Sequence, residues 1–165
     1  MMSAWLDNQL ADETRPRLAK KGIESLDYEA YYPFQIFLDT MREIVQENRN
    51  VTMQLVAIGK AVVEHMQIDD FDTMEDFETL LTAPDGLYHG ALRNAPTYEN
   101  YVLEQHDGEF YFLNNTPVSN DMVFGFLWEL LNHVRIDGEY YTPIPHEHYP
   151  SNERGSIFLL ELRDA

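Results

Sequence analysis

The spacing of apolar positions along this chain changes period near residue 97. Upstream, apolar residues recur every three or four positions, as one buried helical face requires. Downstream they alternate or crowd, as strands require, with one helical stretch between. Phe34, Phe37, Leu38, Met41, Ile44 and Val45 mark a helix opened by Pro33, whose missing N–H costs nothing at a helix start. Asn48 to Asn50 ends it. Val51, Leu55, Ile58 and Val62 mark a second helix, with Gly59 inside it. Glycine there costs about 1 kcal/mol against Ala, so it is expected to admit a closely packed neighbour. Asp72 and Glu75 have the spacing of a capping pair, ahead of a short helix buried through Phe77, Leu80 and Leu81. Ala83-Pro84-Asp85-Gly86 is expected to break that helix. Leu87 to Arg93 would then make two further turns before Pro96. Residues 1–22 are charged and sparsely apolar, and read as a short helix or arm that Trp5 and Leu6 would dock.

Tyr98 to Gln105 and Glu109 to Asn114 are aromatic-rich and extended. Asp107-Gly108 between them is a two-residue hairpin signal, because such turns demand positive φ. Ser119 or Asn120 caps the best helix, whose stripe is Met122, Val123, Phe126, Leu127, Leu130, Leu131 and Val134. Asp137-Gly138 turns the chain into Glu139 to Ile144, and a polar loop from His146 to Gly155 follows. Ser156 to Leu162 is apolar at both alternating sets of positions apart from Glu161, which predicts a central strand covered on both sides. The fold class is therefore α+β. A helical N-terminal part packs on a four-stranded antiparallel sheet, with the order β-β-α-β-β in the C-terminal part. One domain over residues 1–165 is expected, helical in 1–97 and sheet-bearing in 98–165, since no linker-like composition separates them.

Composition changes this picture in two ways. The net charge is −18, with 11 basic residues spread thinly against 29 acidic ones. Affinity for a phosphate backbone comes from clustered Lys and Arg, so no nucleic-acid partner is expected. No membrane partner is expected either, since an anionic surface repels this chain and no run approaches the roughly 20 apolar residues of a span. Cysteine is absent, which removes disulfides, thiolate metal sites and a Cys nucleophile. That fits a cytoplasmic protein, as does the lack of an apolar core in Met1 to Leu10.

His146-Glu147-His148 is the most suggestive cluster for chemistry. Histidines at alternate positions of an extended segment point one way and could hold zinc with Glu153 or His106 as third ligand. The plainer reading is a solvated loop between Pro145 and Pro150. His89, in Leu87-Tyr88-His89-Gly90-Ala91-Leu92, could be an axial ligand to a buried cofactor; a core histidine bonded to a backbone carbonyl is the plainer reading. His65 and His133 read as helix C-terminal histidines favoured by the dipole. Asp69, Asp70, Asp72, Glu75, Asp76 and Glu78 lack the spacing of a calcium loop. No nucleotide fingerprint, phosphate loop, nucleophile elbow or kinase signature occurs, and no enzymatic activity is expected.

The element order of Tyr98 to Arg163 resembles the C-terminal half of the haem-dependent nitric oxide/oxygen-binding (H-NOX) domains and the related four-vinyl-reductase type of ligand-binding domain. The resemblance implies a ligand held between helices and sheet. In H-NOX domains a proximal histidine precedes the first strand, and His89 matches that place, with Pro96 following. The family's Tyr-x-Ser-x-Arg motif holds the haem propionates. The equivalent strand here reads Tyr111-Phe112-Leu113-Asn114-Asn115, so Ser and Arg are absent. No cofactor is predicted on that ground, and haem is disfavoured rather than excluded.

The reading that follows is a sensory or regulatory domain. It would bind a small apolar or aromatic ligand between helices and sheet and relay occupancy to a signalling protein partner. Tyr88, His89, Tyr101, Phe110, Phe112 and Phe126 are the pocket candidates, since such pockets use aromatic walls with few polar groups. One alternative is an acidic protein–protein interaction module or homodimer without a ligand, anchored by Trp5, Tyr31 and Tyr32. Another is a metal-dependent enzyme using His146 and His148.

Overall fold

The computed structural model describes residues 11–25, 27, 30–47, 51–66, 68, 73–136, 139–145 and 156–163. Among these, five helices and four strands follow in the order α1 (Ala11–Lys20), α2 (Phe34–Glu47), α3 (Val51–Glu64), α4 (Met74–Ala91), β1 (Tyr101–His106), β2 (Glu109–Asn114), α5 (Asn120–Asn132), β3 (Tyr140–Pro145) and β4 (Ser156–Arg163). The sheet is antiparallel in the order β1-β2-β4-β3. The last strand thus lies inside the sheet, as its apolar run predicts, although Leu162 at its end is exposed. Pro143 sits in β3 on an edge, where a missing N–H is tolerated. Asp107 and Gly108 both have positive φ, 53° and 88°, which is the backbone the β1–β2 hairpin needs.

Strand alternation sorts the core. Phe110 and Phe112 of β2, Phe158 and Leu160 of β4 and Tyr141 of β3 belong to the main core, packed with Leu127, Leu130 and Leu131 of α5 and Phe77 of α4. Tyr111, Leu113 and Ile157 form a smaller cluster with Val102 and Leu159. A third cluster joins the helices: Leu18, Phe37, Met41, Ile44, Leu55 and Ile58, with Met122 of α5. Ion pairs tie α1 and the residue after it to α2, Arg17 to Glu47 and Lys21 to Glu43.

The closest helix crossing is α3 on α5. A Cβ on Gly59 would lie 2.0 Å from the Met122 carbonyl oxygen and 2.7 Å from the Phe126 nitrogen. Gly59 therefore has the close neighbour its helical position predicts.

Four local expectations need correction. The break at residues 83–86 does not occur: Met74–Ala91 is one helix of 18 residues with Pro84 inside and buried. Burial of the ring offsets the missing backbone hydrogen bond, so packing overrides propensity here. The cap of α4 is Thr73, whose hydroxyl accepts from the Asp76 N–H at 3.2 Å, one residue later than expected; Asp72 lies outside the described residues. β1 starts at Tyr101 and not at Tyr98, because the Glu99 N–H is spent in a turn onto the Pro96 carbonyl at 3.0 Å. Phe126, at the middle of the α5 stripe, is half-buried, whereas Leu127 is fully buried.

Candidate ligand site at the seam of helices and sheet

Helix α4 is the wall of the site. Pro84, Leu87, Tyr88 and Ala91 stand at spacings of three and four, so one face of the helix carries all of them. They bound a cavity of about 90 Å3. Gly59 and Val62 of α3 close one side, and Met122, Val123 and Phe126 of α5 another. Phe34 of α2 and Tyr101 of β1 complete it. The cavity lies where the helical part meets the sheet, and none of the described side chains lining it is charged.

A run of aromatic contacts crosses this seam. Phe34 meets Tyr88 edge-on with centroids 6.3 Å apart, Tyr88 meets Tyr101 edge-on at 5.8 Å, and Tyr101 stacks on Phe112 at 5.6 Å. The polar tips of both tyrosines are satisfied at the periphery, as buried Tyr requires. The Tyr88 hydroxyl donates to Glu99 Oε2 at 2.7 Å. The Tyr101 and Thr116 hydroxyl oxygens lie within hydrogen-bond distance at 3.2 Å, and the Tyr101 N–H donates to Asp85 Oδ1 at 3.0 Å. Burial, then the Glu99 hydrogen bond, pushes the Tyr88 phenol well above its usual range. Burial pushes Tyr101 up to about 12, against the Thr116 bond, which lowers it.

Behind Tyr101 a polar network fixes the loop from β2 to α5. Asn114 is buried, and its Oδ1 accepts from the Thr116 N–H at 3.0 Å and the Thr116 hydroxyl at 2.7 Å. Its Nδ2 donates to the Val118 carbonyl at 3.1 Å and to Asn120 Oδ1 at 3.2 Å. Asn120 Oδ1 also accepts from the Ser156 hydroxyl at the start of β4. These bonds hold the loop in place, and its Val118 lines the cavity wall.

Of the residues singled out by sequence, Tyr88, Tyr101 and Phe126 line the cavity. Phe112 is buried behind Tyr101, and Phe110 packs deeper, 5.0 Å from Phe77. His89 stands beside Tyr88 on α4, with Nε2 3.6 Å from Asp85 Oδ1, and is not among the lining residues. Sequence reasoning missed Phe34, Val62, Pro84, Leu87 and Met122. The 84-87-88-91 spacing was the available signal, hidden by treating Pro84 as a break.

The remaining candidates lie elsewhere. His146, His148, Glu153 and Trp5 fall outside the described residues. His106 ends β1, with Nε2 3.1 Å from Glu104 Oε2. Among the described residues no group of three or more His, Asp or Glu side chains is placed to hold a metal ion. Nor is any described helix long and apolar enough to cross a membrane. Tyr31 is exposed beneath the Arg93 guanidinium, and the Tyr32 hydroxyl accepts from the Asp27 N–H at 2.8 Å.

No protein-family model matches the chain, and no curated protein matches it. Among solved structures it is similar to a mutant H-NOX protein from K. algicida in its Fe(II) unliganded form, with a TM-score of 0.52 and 13% identity, over 99% of this chain and 95% of that one. The fold is H-NOX-like. The likeness spans both halves, which corrects the restriction to residues 98–163. Helix packing depends on apolar spacing that many sequences satisfy, so the helical half can share this arrangement without shared residues.

Proposed function

We propose that the chain is a sensory domain that binds a small, largely apolar ligand at the seam and relays its occupancy to a signalling partner. The observation that carries this reading is the apolar cavity bounded by four helices and β1. The cavity is partly open, and its nearly wholly apolar lining offers water few partners. An apolar molecule or moiety of a few carbons is the occupant such a wall favours. Helix α5 supplies the relay: Met122 and Phe126 face the cavity, while Phe124 packs on Phe158 of β4 at 6.4 Å. A ligand that moved α5 would shift the sheet with it.

Haem, which the fold family implies, does not fit these residues. The cavity holds about 90 Å3, against the roughly 300–1,000 Å3 of ordinary cofactor and ligand sites. No described residue lining the cavity is a histidine, so none there could ligate the iron. The glycine crossing of α3 on α5 leaves no gap between those helices.

Xenon is the direct probe, since dry apolar cavities take it up. The expected result is a saturable xenon shift by NMR in the intact chain, abolished in Val62→Phe, which fills the cavity. An unsaturable response, equal in both proteins, would reduce the cavity to a packing defect.

A further inference from the structure

The apolar cavity has a larger neighbour across part of its wall. Phe34, Ala91 and Leu92 line it and also line a larger groove of about 520 Å3 between the start of α2 and the segment after α4. The groove is more polar than the cavity, and it carries two arginines, Arg42 and Arg93. In a chain with 11 basic and 29 acidic residues, two arginines beside one cavity are a local concentration of positive charge.

The two arginines are presented differently. Arg42 reaches Asp39 Oδ1 at 2.8 Å through Nη1. Arg93 lies over the Tyr31 ring at 3.4 Å, and among the described residues no carboxylate pairs with it. Stacking uses the face of the guanidinium and leaves its N–H edge, a fork matched to a carboxylate, available. The groove's acidic side chain, Glu99, is engaged by the Tyr88 hydroxyl.

We propose that cavity and groove together bind an amphipathic monocarboxylate, its apolar chain end in the cavity beside Phe34 and Leu92 and its carboxylate on the edge of Arg93, with Arg42 as second cation. The proposal rests on the ligand-binding reading above and names the class of ligand. The global charge supplies a built-in control. A field of −18 repels every anion, so preference for a charged head over a neutral one must come from these local cations.

The test compares decanoate with decanol, which share a chain and differ in the head, by calorimetric titration of the full chain. Decanoate is expected to bind about tenfold more tightly, the worth of roughly one charge-assisted pair. Arg93→Gln, an exposed position, is expected to erase that difference and leave decanol binding unchanged. Arg93→Lys is expected to recover part of it, since charge returns without the fork. Decanol binding as well as decanoate, or Arg93→Gln weakening both alike, overturns the carboxylate assignment while ligand binding stands. Failure of decanol, decanoate and xenon together removes the ligand-binding reading itself, and this assignment with it.

Discussion

Gly59 and Gly125 are reciprocal: each lies against the backbone of the helix that carries the other. A Cβ on Gly59 would sit 2.0 Å from the Met122 carbonyl oxygen, and a Cβ on Gly125 would sit 2.0 Å from that of Val56. The neighbours are backbone atoms, so no side chain can rotate away. Such approaches also bring Cα–H groups onto carbonyl oxygens, a weak attraction that a methyl group would displace. Either Gly→Ala change must push α3 from α5 and is expected to destabilise by about 3 kcal/mol, the upper part of the usual overpacking range. Urea unfolding of each variant checks this. A loss under about 1 kcal/mol at both positions would show that the crossing yields easily.

Gly90 gives the opposite expectation. It lies in α4, and nothing comes within 4 Å of an added Cβ. There a glycine contributes only its unfolded-state freedom, so Gly90→Ala is expected to stabilise by about 0.5–1 kcal/mol. The same unfolding measurement decides it, and destabilisation would mean that α4 needs flexibility near its end.

Phe77 and Phe126 separate core from cavity wall. Phe77 is fully buried, stacked on Tyr141 with centroids 4.5 Å apart and edge-on to Phe110. Its change to Ala is expected to cost about 4 kcal/mol. Phe126 is half-buried against the cavity, so Phe126→Ala is expected to cost about 2 kcal/mol and to enlarge the site. Equal losses in chemical denaturation would place both rings in the same kind of core.

Haem reconstitution follows from the cavity's size and lining. The expected outcome is no sharp Soret band at one haem per chain, and the same weak absorbance in His89→Ala. A stoichiometric band lost in His89→Ala would falsify this and make the fold a haem sensor after all.

Much of the fold was legible because its signals are local. The α5 stripe, the Asp107-Gly108 turn and the doubly apolar run of β4 each depend on neighbours in sequence. Pro84 misled for the converse reason: its ring is accommodated by packing that only the assembled structure supplies. The site was half legible. Tyr88, Tyr101 and Phe126 are aromatics at positions that face inward by periodicity, and they reach the cavity. Phe34 and Val62 join them from other helices, and no local pattern says that these surfaces converge. Phe110 and Phe112 share the aromatic character of the wall yet lie deeper in the core, because strand alternation fixes a face and not a depth. The stacking of Arg93 on Tyr31 depends on a contact between distant segments, which no local pattern announces.

Tyr101 links the site to alkaline stability. Its phenol is raised from 10.0 to about 12, mainly by burial, with Asp85 adding a smaller effect in the same direction. A group with a raised folded-state value holds its proton longer in the native chain than in the unfolded one. Between pH 10 and 12 the unfolded state therefore binds fewer protons, and stability falls as pH rises. The contribution is intact below about pH 10 and is lost as pH climbs through the native value. At about 1.4 kcal/mol per unit, Tyr101 accounts for about 3 kcal/mol of loss across that window. Tyr88 acts with the same sign. Tyr101→Phe keeps the ring and its stacking on Phe112 and removes the ionisation. The variant is expected to be slightly less stable than the parent at pH 8, having lost the Thr116 hydrogen bond. By pH 12 it is expected to be the more stable of the two. Urea midpoints at the two pH values give the answer, and parallel losses in both proteins would mean that Tyr101 ionises in the native state as freely as in water.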